Sequence, residues 1–258
     1  FAKHRPEVVF HLAAQPLVRL SYEETRYTFD TNLMGTVNTL EAARLTDSIR
    51  AIVAISSDKC YRNIGTVSGY RESDQLGGYD PYSARKACAE LAIAVYSDDR
   101  FQASTNPPRD VRVASTRAGN VIGGGDWAHE RIVPDTIRAI ASDADIAVRN
   151  PDAIRPWQHV LEPLSAYLWL GALITRDRKY CSAWNIGPDG DGAPTVEDVV
   201  RGILGRWPSR TRLVVNRDQS KKEALLLRLD CTKAHDEIGW RSAWSVDRTL
   251  DAIVAWYE

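Results

Sequence analysis

The chain has 258 residues, of which 44% are hydrophobic and 26% are charged, and its formal net charge is −1. This composition is ordinary for a soluble globular protein, and the near-neutral charge excludes binding to nucleic acid through an excess of basic side chains. No segment approaches the ~18 to 20 apolar residues that span a bilayer. We therefore expect neither a nucleic-acid partner nor a membrane.

The four cysteines and five histidines show no spacing that is typical of a metal site. Cys60, Cys88, Cys181 and Cys231 form no CxxC pair, and the histidines form no HExxH motif. We expect no metal, and we expect reduced thiols in a cytoplasmic protein.

Strands and helices alternate along roughly the first half of the chain. Short apolar runs predict buried strands at residues 8–12, 51–56 and 111–116, and a long helix is predicted at 22–45. The alternation predicts an α/β fold class, with a Rossmann-type doubly wound parallel sheet.

Several later helices have recognisable start signals. Asp80 can cap a first turn in which Pro81 needs no N–H donor, and Thr195 and Ser245 are candidate caps of the same kind. The segment at 161–173 is apolar nearly all round, which predicts a buried helix. Helices are predicted at 81–96, 132–141, 161–173, 196–207 and 246–257, and loops at 62–79 and 118–127.

Polar clusters follow the three predicted strands. They lie at residues 13–15, 57–59 and 117–120. Because open parallel sheets bind ligands at the carboxyl ends of their strands, these clusters are candidate parts of one site.

Tyr82 and Lys86 are four residues apart on the predicted helix at 81–96, so their side chains share a face. A phenol ordinarily ionises near pH 10, and an ammonium fixed beside it favours the phenolate. The pair can therefore act as a general base toward an alcohol proton. The spacing alone is weak evidence, since most Tyr and Lys residues four apart on a helix lie on the protein surface and have no catalytic role.

The wider context strengthens this interpretation. Ser57, Tyr82 and Lys86 resemble the Ser/Thr, Tyr and Lys set of the short-chain dehydrogenase/reductase family, which acts beside a nicotinamide. HLAA at 11–14 and TNLMGT at 31–36 are similar to its extended branch, the NAD-dependent epimerases and dehydratases of nucleotide sugars. The resemblance implies NAD as the cofactor, with contacts from Leu12, Ala13, Ala14, Gln15, Asn32, Ser56, Tyr82 and Lys86.

Longer blocks resemble one group within that branch, the CDP-glucose 4,6-dehydratases. The blocks are HLAAQPLVR (11–19), SSDKCY (56–61), GYRESDQLGGYDPYSARK (69–86), RAGNVIGGGDW (117–127) and RPWQHVLEPL (155–164). Relatives that act on dTDP-glucose carry Thr-Asp-Glu where this chain has Ser57-Asp58-Lys59. The resemblance implies a lyase that converts CDP-glucose to CDP-4-keto-6-deoxyglucose in deoxysugar biosynthesis.

This resemblance also implies catalytic roles. Tyr82, held as phenolate by Lys86, removes the proton of the sugar 4-hydroxyl, and Ser57 hydrogen-bonds the same oxygen. Asp58 protonates the departing 6-hydroxyl, and hydride passes from C4 to NAD and back to C6. Lys59 is a base for the C5 proton only if its pKa is lowered, and otherwise it orients Asp58 or stabilises the enolate.

Five residues are candidate substrate contacts by the same resemblance. Asn120 and Arg155 match positions that contact the diphosphate or sugar, and the donor fork of Arg155 suits a phosphate. Trp157 and His159 shape the nucleotide pocket unless Trp157 belongs to the core. Arg228 is a second phosphate candidate, with an ordinary surface arginine as the alternative.

The chain contains no glycine-rich phosphate loop of the GxGxxG or GxxGxxG type. We expect on the order of 60 to 80 residues upstream, about two strand–helix units, and poor NAD binding and turnover by the chain alone. Residues 1–130 are then the remainder of an NAD-binding Rossmann domain. Residues 131–258 are mainly a substrate-binding lobe, interleaved with the end of the Rossmann sheet.

Two other functions compete with dehydration. One is another NAD-dependent nucleotide-sugar reaction, such as 4-epimerisation or decarboxylation, against which Asp58 and Lys59 argue. The other is a non-catalytic NAD-binding scaffold, which would not need Ser57, Tyr82 and Lys86. The family resemblance also suggests a homodimer, although nothing in the sequence identifies its interface.

Overall fold

The computed structural model describes residues 1–104, 110–188, 193–217 and 226–258. The strands are β1 (Val8–His11), β2 (Ala51–Ile55), β3 (Arg112–Ala118), β4 (Asn120–Ile122), β5 (Ile146–Val148), β6 (Trp157–His159), β7 (Ala183–Ile186) and β8 (Leu213–Val215). The helices are α1 (Val18–Glu23), α2 (Thr25–Phe29), α3 (Gly35–Arg44), α4 (Pro81–Ser97), α5 (Asp99–Ser104), α6 (Ile132–Ala141), α7 (Leu161–Ile174), α8 (Val196–Leu204) and α9 (Val246–Tyr257).

Four parallel strands form the central sheet in the order β1-β2-β3-β7. Successive side chains of a strand point to opposite faces. Ala51 and Val53 of β2 accordingly pack in a core with α7, whereas Ile52 and Ala54 pack in a second core with α3 and α4. Helices on both faces of a parallel sheet confirm the predicted Rossmann-type doubly wound fold.

The prediction of one continuous helix at 22–45 is wrong. The helical stretch begins earlier, at Val18, and the backbone leaves the helical conformation at Glu24, where ψ is 52°. A wide π-helical turn, Asp30–Met34, separates α2 from α3. Asn32 lies in this turn and bonds to the backbone of Gln15, a contact that competes with regular helix and that local periodicity does not reveal.

The predicted helix starts at Asp80, Thr195 and Ser245 are confirmed. Each of these side chains accepts a backbone N–H of the first turn, and Thr195 forms a reciprocal capping box with Asp198. Helix α8 ends at Leu204, three residues before the predicted end. Side-chain caps therefore located the helix starts more accurately than the pattern located the ends.

The second half of the chain divides between the central sheet and a smaller lobe. Helix α7 and strand β7 belong to the sheet layer, whereas α6, α8 and α9 surround a separate core with Ile122 and Trp157. Two short parallel pairs, β4 with β6 and β5 with β8, complete the lobe. Strand β4 lies inside the predicted loop at 118–127, so that prediction is wrong there, because its partner strand is distant in sequence.

The apolar sequence of α7 predicted a helix that is buried on all sides, but the structure buries only part of its surface. Leu170 and Ile174 are buried against the sheet, whereas Leu161, Leu168 and Trp169 are exposed. Packing on a sheet covers only one side of a helix, so apolar composition alone did not determine its burial. Within the described ranges, no helix combines the length and apolarity needed to cross a bilayer.

Candidate active site

The segments that follow three strands meet at one edge of the central sheet. Parallel pairing sets the ends of β1 and β2 side by side, and likewise the ends of β2 and β3. Residues 12–15 follow β1, residues 56–59 follow β2, and Asn120 begins β4 just after β3. The predicted polar clusters are thus brought together at this edge.

Ser57, Asp58 and Lys59 form a polar turn directly after β2. The Ser57 hydroxyl accepts the Lys59 backbone N–H at 3.3 Å and donates to Asp58 Oδ1 at 2.9 Å. Lys59 Nζ lies 3.6 Å from Asp58 Oδ1 and donates to Asn120 Oδ1 at 3.3 Å. Asp58 is fully buried, and its Oδ2 has no hydrogen-bond partner among the described residues. An unsatisfied buried acceptor costs roughly 1–3 kcal/mol, so this oxygen is a candidate ligand contact.

Helix α4 packs against this turn and supplies Tyr82 and Lys86. The Asp80 cap and Pro81 fix the start of the helix, so that Tyr82 lies in its first turn and Lys86 one turn later. Both side chains are buried, at 7% and 6% exposure. The fold therefore brings Ser57, Asp58, Lys59, Tyr82 and Lys86 into one polar cluster at the sheet edge.

The charges around Tyr82 favour its ionised form. Burial alone would raise the pKa of Tyr82, but the positive charges of Lys86, Lys59 and Arg85 outweigh burial and the opposing charge of Asp58. The pKa of Tyr82 is therefore lowered from the ordinary tyrosine value near 10. The cluster thus favours the phenolate, which is the form of Tyr82 that can accept an alcohol proton.

The turn after β1 is held by reciprocal hydrogen bonds. The Gln15 backbone N–H donates to Asn32 Oδ1 at 2.7 Å, and Asn32 Nδ2 donates to the Gln15 carbonyl at 2.9 Å. His11 contacts Thr36 Oγ1 at 3.0 Å, and burial followed by the charge of Lys86 lowers the pKa of His11. The rigid turn leaves Leu12 and Ala13 exposed at the sheet edge.

A nucleotide cofactor fits this edge. Small side chains at Ala13 and Ala14 leave the backbone accessible, while Gln15 and Asn32 are buried and fixed. The Ser56 hydroxyl is buried at the end of β2 and has no partner within the described chain. A fixed backbone and an unsatisfied hydroxyl at the ends of parallel strands are typical of a nucleotide site.

The predicted substrate contacts fall into two groups. Strands β4 and β6 pair so that Asn120 lies beside Trp157 and Ile122 beside His159. The Asn120 amide reaches the polar turn through Lys59, whereas the Trp157 ring is buried in the lobe core and its N–H donates to the Pro194 carbonyl at 3.0 Å. These contacts favour the core alternative for Trp157.

His159 has both its ring face and one nitrogen engaged. It stacks on Trp244 with ring centroids 4.4 Å apart, and its Nδ1 accepts the Leu161 backbone N–H at 3.3 Å. Burial lowers the pKa of His159, with Glu162 opposing, so the neutral ring is favoured. The ring is a rigid flat surface rather than a cation.

The two predicted phosphate-binding arginines differ in their surroundings. Arg155 is buried and donates from Nη1 to the Ile154 carbonyl at 2.9 Å. Arg228 is partly exposed, and its Nε is buried without a partner among the residues that the structure describes. An unused guanidinium donor fits an anion better than an ordinary surface arginine does.

Sequence reasoning missed a buried polar network beneath the site. Arg117 of β3 pairs with Glu90 of α4 at 2.8 Å and donates to the Tyr61 hydroxyl at 3.0 Å. Tyr61 donates to Asn185 Oδ1 at 2.6 Å, and Ser115 donates to Glu90 at 2.9 Å. Glu90 lies four residues after Lys86, so helical spacing places it on the same face of α4. Its partners Arg117 and Ser115 lie on a strand distant in sequence, so the pairing could not be predicted.

Sequence comparisons relate the chain to dehydratases of nucleotide sugars. A family model described as GDP-mannose 4,6 dehydratase matches residues 1–184. The chain is 46% identical over 258 residues to a CDP-glucose 4,6-dehydratase of Salmonella typhimurium, a match that covers 100% of the chain and 72% of that protein. It is 23% identical to a dTDP-glucose 4,6-dehydratase of Xanthomonas campestris pv. campestris, covering 99% of the chain and 73% of that protein.

Solved structures share the fold. The chain is similar to MoeE5 in complex with UDP-glucuronic acid and NAD, with a TM-score of 0.82 and 24% identity, over 97% of the chain and 78% of that structure. It is also similar to a UDP-glucose 4-epimerase of Thermotoga maritima with UDP-glucose, with a TM-score of 0.80 and 21% identity, over 100% of the chain and 79% of that structure. At these identities, the likeness concerns the fold.

Proposed function

Because the chain belongs to the GDP-mannose 4,6 dehydratase family, we propose that it is an NAD-dependent nucleotide-sugar 4,6-dehydratase acting on CDP-glucose. The product is CDP-4-keto-6-deoxyglucose, formed by loss of water. The observation that carries the proposal is the pair of Lys59 with the fully buried Asp58, in the same cluster as Tyr82. A base beside a nicotinamide suffices for oxidation or epimerisation, whereas loss of water also needs an acid near the leaving hydroxyl.

Tyr82 is the base for the sugar 4-hydroxyl in this proposal. The cations around it favour the phenolate, and the Ser57 hydroxyl lies in the adjacent turn as a hydrogen-bond partner for the reacting oxygen. Removal of the proton from the hydroxyl prepares C4 to become a ketone, which acidifies the hydrogen on C5. Lys86 keeps the phenol ready for this step.

Asp58 and Lys59 then serve the loss of water. A base takes the proton from C5 as the C6–O bond breaks, and the 6-hydroxyl leaves as water with a proton from Asp58. Asp58 uses Oδ1 for Ser57 and Lys59, so in its protonated form Oδ2 is the oxygen placed to carry that proton. The position of Lys59 between Asp58 and Asn120 supports a role as a cation that orients Asp58 and stabilises the enolate. An ammonium held as a donor beside Asp58 and Asn120 has no lone pair with which to take a proton, so these contacts do not favour Lys59 as the C5 base.

A test of the role of Lys59 compares Lys59→Ala with Lys59→Glu. Solvent-hydrogen exchange at C5 of the sugar is followed by mass spectrometry in heavy water. We expect Lys59→Ala to retain exchange at a reduced rate, because a cation is lost but no base is removed. Complete loss of exchange in Lys59→Ala, with restoration in Lys59→Glu, would show instead that the side chain at position 59 is the base.

NAD is the proposed cofactor, and it supplies reversible hydride transfer when bound. Leu12, Ala13 and Ala14 would line it along the fixed turn, with Gln15 and Asn32 holding that turn in place. Ser56, with its unsatisfied hydroxyl, would contact it at the end of β2. Tyr82 and Lys86 would border its reactive end.

The substrate would lie between the sheet edge and the lobe, and we propose residues 131–258 as the main source of its contacts. Asn120 is supported by its contact with Lys59, and Arg228 by its unused Nε donor. Arg155 is proposed for the diphosphate, and His159 for the wall of the nucleotide pocket. Trp157 would support that wall from the core.

We also propose a cytoplasmic homodimer. The four cysteines are free, as expected in a reducing compartment. Leu91 and Val95 of α4 and Met34 of the neighbouring turn are exposed, and exposed apolar groups of this kind are typical of interfaces. Sedimentation of the protein and of Leu91→Glu tests this: a dimer that the substitution dissociates would support the interface on α4.

The first test of the function follows two nucleotide sugars. The NAD-loaded protein is incubated separately with CDP-glucose and dTDP-glucose in heavy water, and each sugar is analysed by mass spectrometry. We expect CDP-glucose alone to lose one water and gain deuterium at C5. Water loss from dTDP-glucose alone would overturn the substrate. Unchanged masses from folded, NAD-bound protein would overturn dehydration and favour the epimerase or scaffold alternatives.

A further inference from the structure

Arg85 is a buried cation of α4 to which no role has been assigned. Its side chain is completely buried, and it forms no ion pair with any described residue. Asp80 is the carboxylate whose charge acts on it, and both Asp80 oxygens are engaged by Ser83 at the helix cap. Burying an unpaired charge is costly, so a side chain needed only to fill space here would be apolar.

The contacts of Arg85 point to the proposed base. Its guanidinium carbon lies 4.0 Å from the centroid of the Tyr82 ring, a stacked cation–π contact. Its Nη2 donates to the Gln15 carbonyl at 2.8 Å, the same carbonyl that Asn32 holds. The planar group thus lies against the ring of Tyr82 and ties that ring to the turn after β1.

Two donors of Arg85 remain unused. Its Nε and Nη1 are buried and have no acceptor in the parts of the chain that the structure describes. The ionisable group against which the guanidinium packs is Tyr82, which is neutral as a phenol and negative as a phenolate. A Tyr82 phenolate would therefore give Arg85 a counter-ion in direct contact, which no carboxylate of the described residues provides.

We propose that Arg85 is a positioning residue for Tyr82, which holds the ring against the Gln15 turn and stabilises its negative charge when the hydroxyl gives up its proton. This inference rests on the proposed function, because it assigns Tyr82 as the base. Lys86 and Lys59 add positive charge from α4 and from the Ser57 turn, and Asp58 opposes them. Burial, followed by the charge of Lys86, lowers the pKa of His11 on β1.

Two substitutions separate charge from hydrogen bonding. Arg85→Gln removes the charge but keeps an N–H that can reach the Gln15 carbonyl, whereas Arg85→Lys keeps the charge and loses the planar fork. The matched control is Arg201→Met on the exposed face of α8, where Arg201 pairs with Glu197. For each variant, kcat and KM for CDP-glucose are measured against pH, together with unfolding in urea.

We expect Arg85→Gln to lower kcat at neutral pH by roughly 10- to 30-fold, the size of a desolvated cation–π contact. The rise of kcat with pH should move to higher pH, because the phenolate then forms less readily. KM should change little, and Arg85→Lys should keep most of the wild-type profile. If the rise of kcat with pH in Arg85→Gln stays at the wild-type pH, the proposal is overturned, even where the variant is less stable.

A measurement on the wild-type protein keeps the proposal testable if the variants do not fold. Tyrosine labelled with ¹³C at Cζ is titrated by NMR, and Tyr82→Phe identifies the signal of Tyr82. We expect the Tyr82 phenol to ionise below pH 10, the ordinary tyrosine value. Ionisation above that value would overturn the role of Arg85. This titration needs no substrate, so inactivity toward CDP-glucose would refute the proposed function separately.

Discussion

Two buried tyrosine–arginine pairs lie near the polar turn after β2, and the pKa values of their tyrosines shift in opposite directions. Arg85 lies 4.0 Å from the Tyr82 ring centroid, and Arg117 lies 5.0 Å from that of Tyr61. Burial raises the pKa of Tyr61 well above its ordinary value despite Arg117, whereas the pKa of Tyr82 is lowered. The neighbouring arginine alone does not decide the ionisation of a buried phenol.

The difference lies in the other charges around each phenol. Arg117, which pairs with the buried Glu90 carboxylate, acts to lower the pKa of Tyr61, but burial outweighs it. At Tyr82 the charges of Lys86 and Lys59 act ahead of that of Arg85, and together the three cations outweigh burial. Arg85 itself forms no ion pair with a described residue. The compensated pair, Tyr61 with Arg117, is suited to stabilise the fold. The uncompensated pair, Tyr82 with Arg85, is suited to proton transfer.

The largest effect is expected on the uncompensated side. Tyr82→Phe removes the proposed base but keeps the ring against Arg85, so kcat should fall by roughly 10²- to 10⁴-fold while stability is nearly unchanged. Steady-state kinetics and urea unfolding measure the two quantities. Retention of more than about a tenth of wild-type kcat would show that Tyr82 is not the base.

On the compensated side, stability rather than chemistry should change. Glu90→Ala leaves Arg117 buried without its carboxylate, and we expect a loss of about 3–5 kcal/mol in the free energy of unfolding. Urea unfolding measures the loss, and the double variant Glu90→Leu/Arg117→Met should recover much of it, because it removes both charges. If Glu90→Ala is as stable as the wild type, the Glu90–Arg117 pair does not stabilise the fold.

Tyr61→Phe should have a smaller effect of the same kind. The Tyr61 hydroxyl joins Arg117 to Asn185, and its loss leaves Asn185 Oδ1 without this donor, which costs about 1–3 kcal/mol. The dependence of kcat on pH should stay at the wild-type position, since Tyr61 is not the phenol that ionises. A shift of that dependence would contradict the separation between the two pairs.

The smallest expected effect is a loss of stability in acid through His11. Burial and Lys86 lower its pKa in the folded protein, so the unfolded state binds a proton more readily. The contribution of His11 is complete above about pH 6.5 and is lost as pH falls from there toward the lower folded-state pKa. Urea unfolding between pH 7 and pH 5 should show a weaker decline in His11→Gln than in the wild type.

The sequence predicted those parts of the fold that depend on local interactions better than those that depend on contacts between separate segments. Helix starts at Asp80, Thr195 and Ser245 were predictable because a cap acts within one turn. The π-helical turn at Asp30–Met34 and strand β4 were not, because Asn32 bonds to Gln15 and β4 pairs with β6, each in a separate segment of the chain. Trp157 shows the same limit, since its neighbours in the lobe core come from several elements.

By itself, the sequence determined the parallel sheet with helices on both faces and the residue types at the end of β2 and the start of α4. Strand and helix periodicity, caps and short motifs are local properties, so they are legible without a structure. Only the tertiary structure decided which charges are compensated. Arg85 and Arg117 look alike in the sequence. Their difference arises because the Glu90 carboxylate reaches Arg117, whereas Arg85 lies against the Tyr82 ring and forms no ion pair with any described residue. Electrostatic free energies depend on distance and burial, and the folded chain alone sets both.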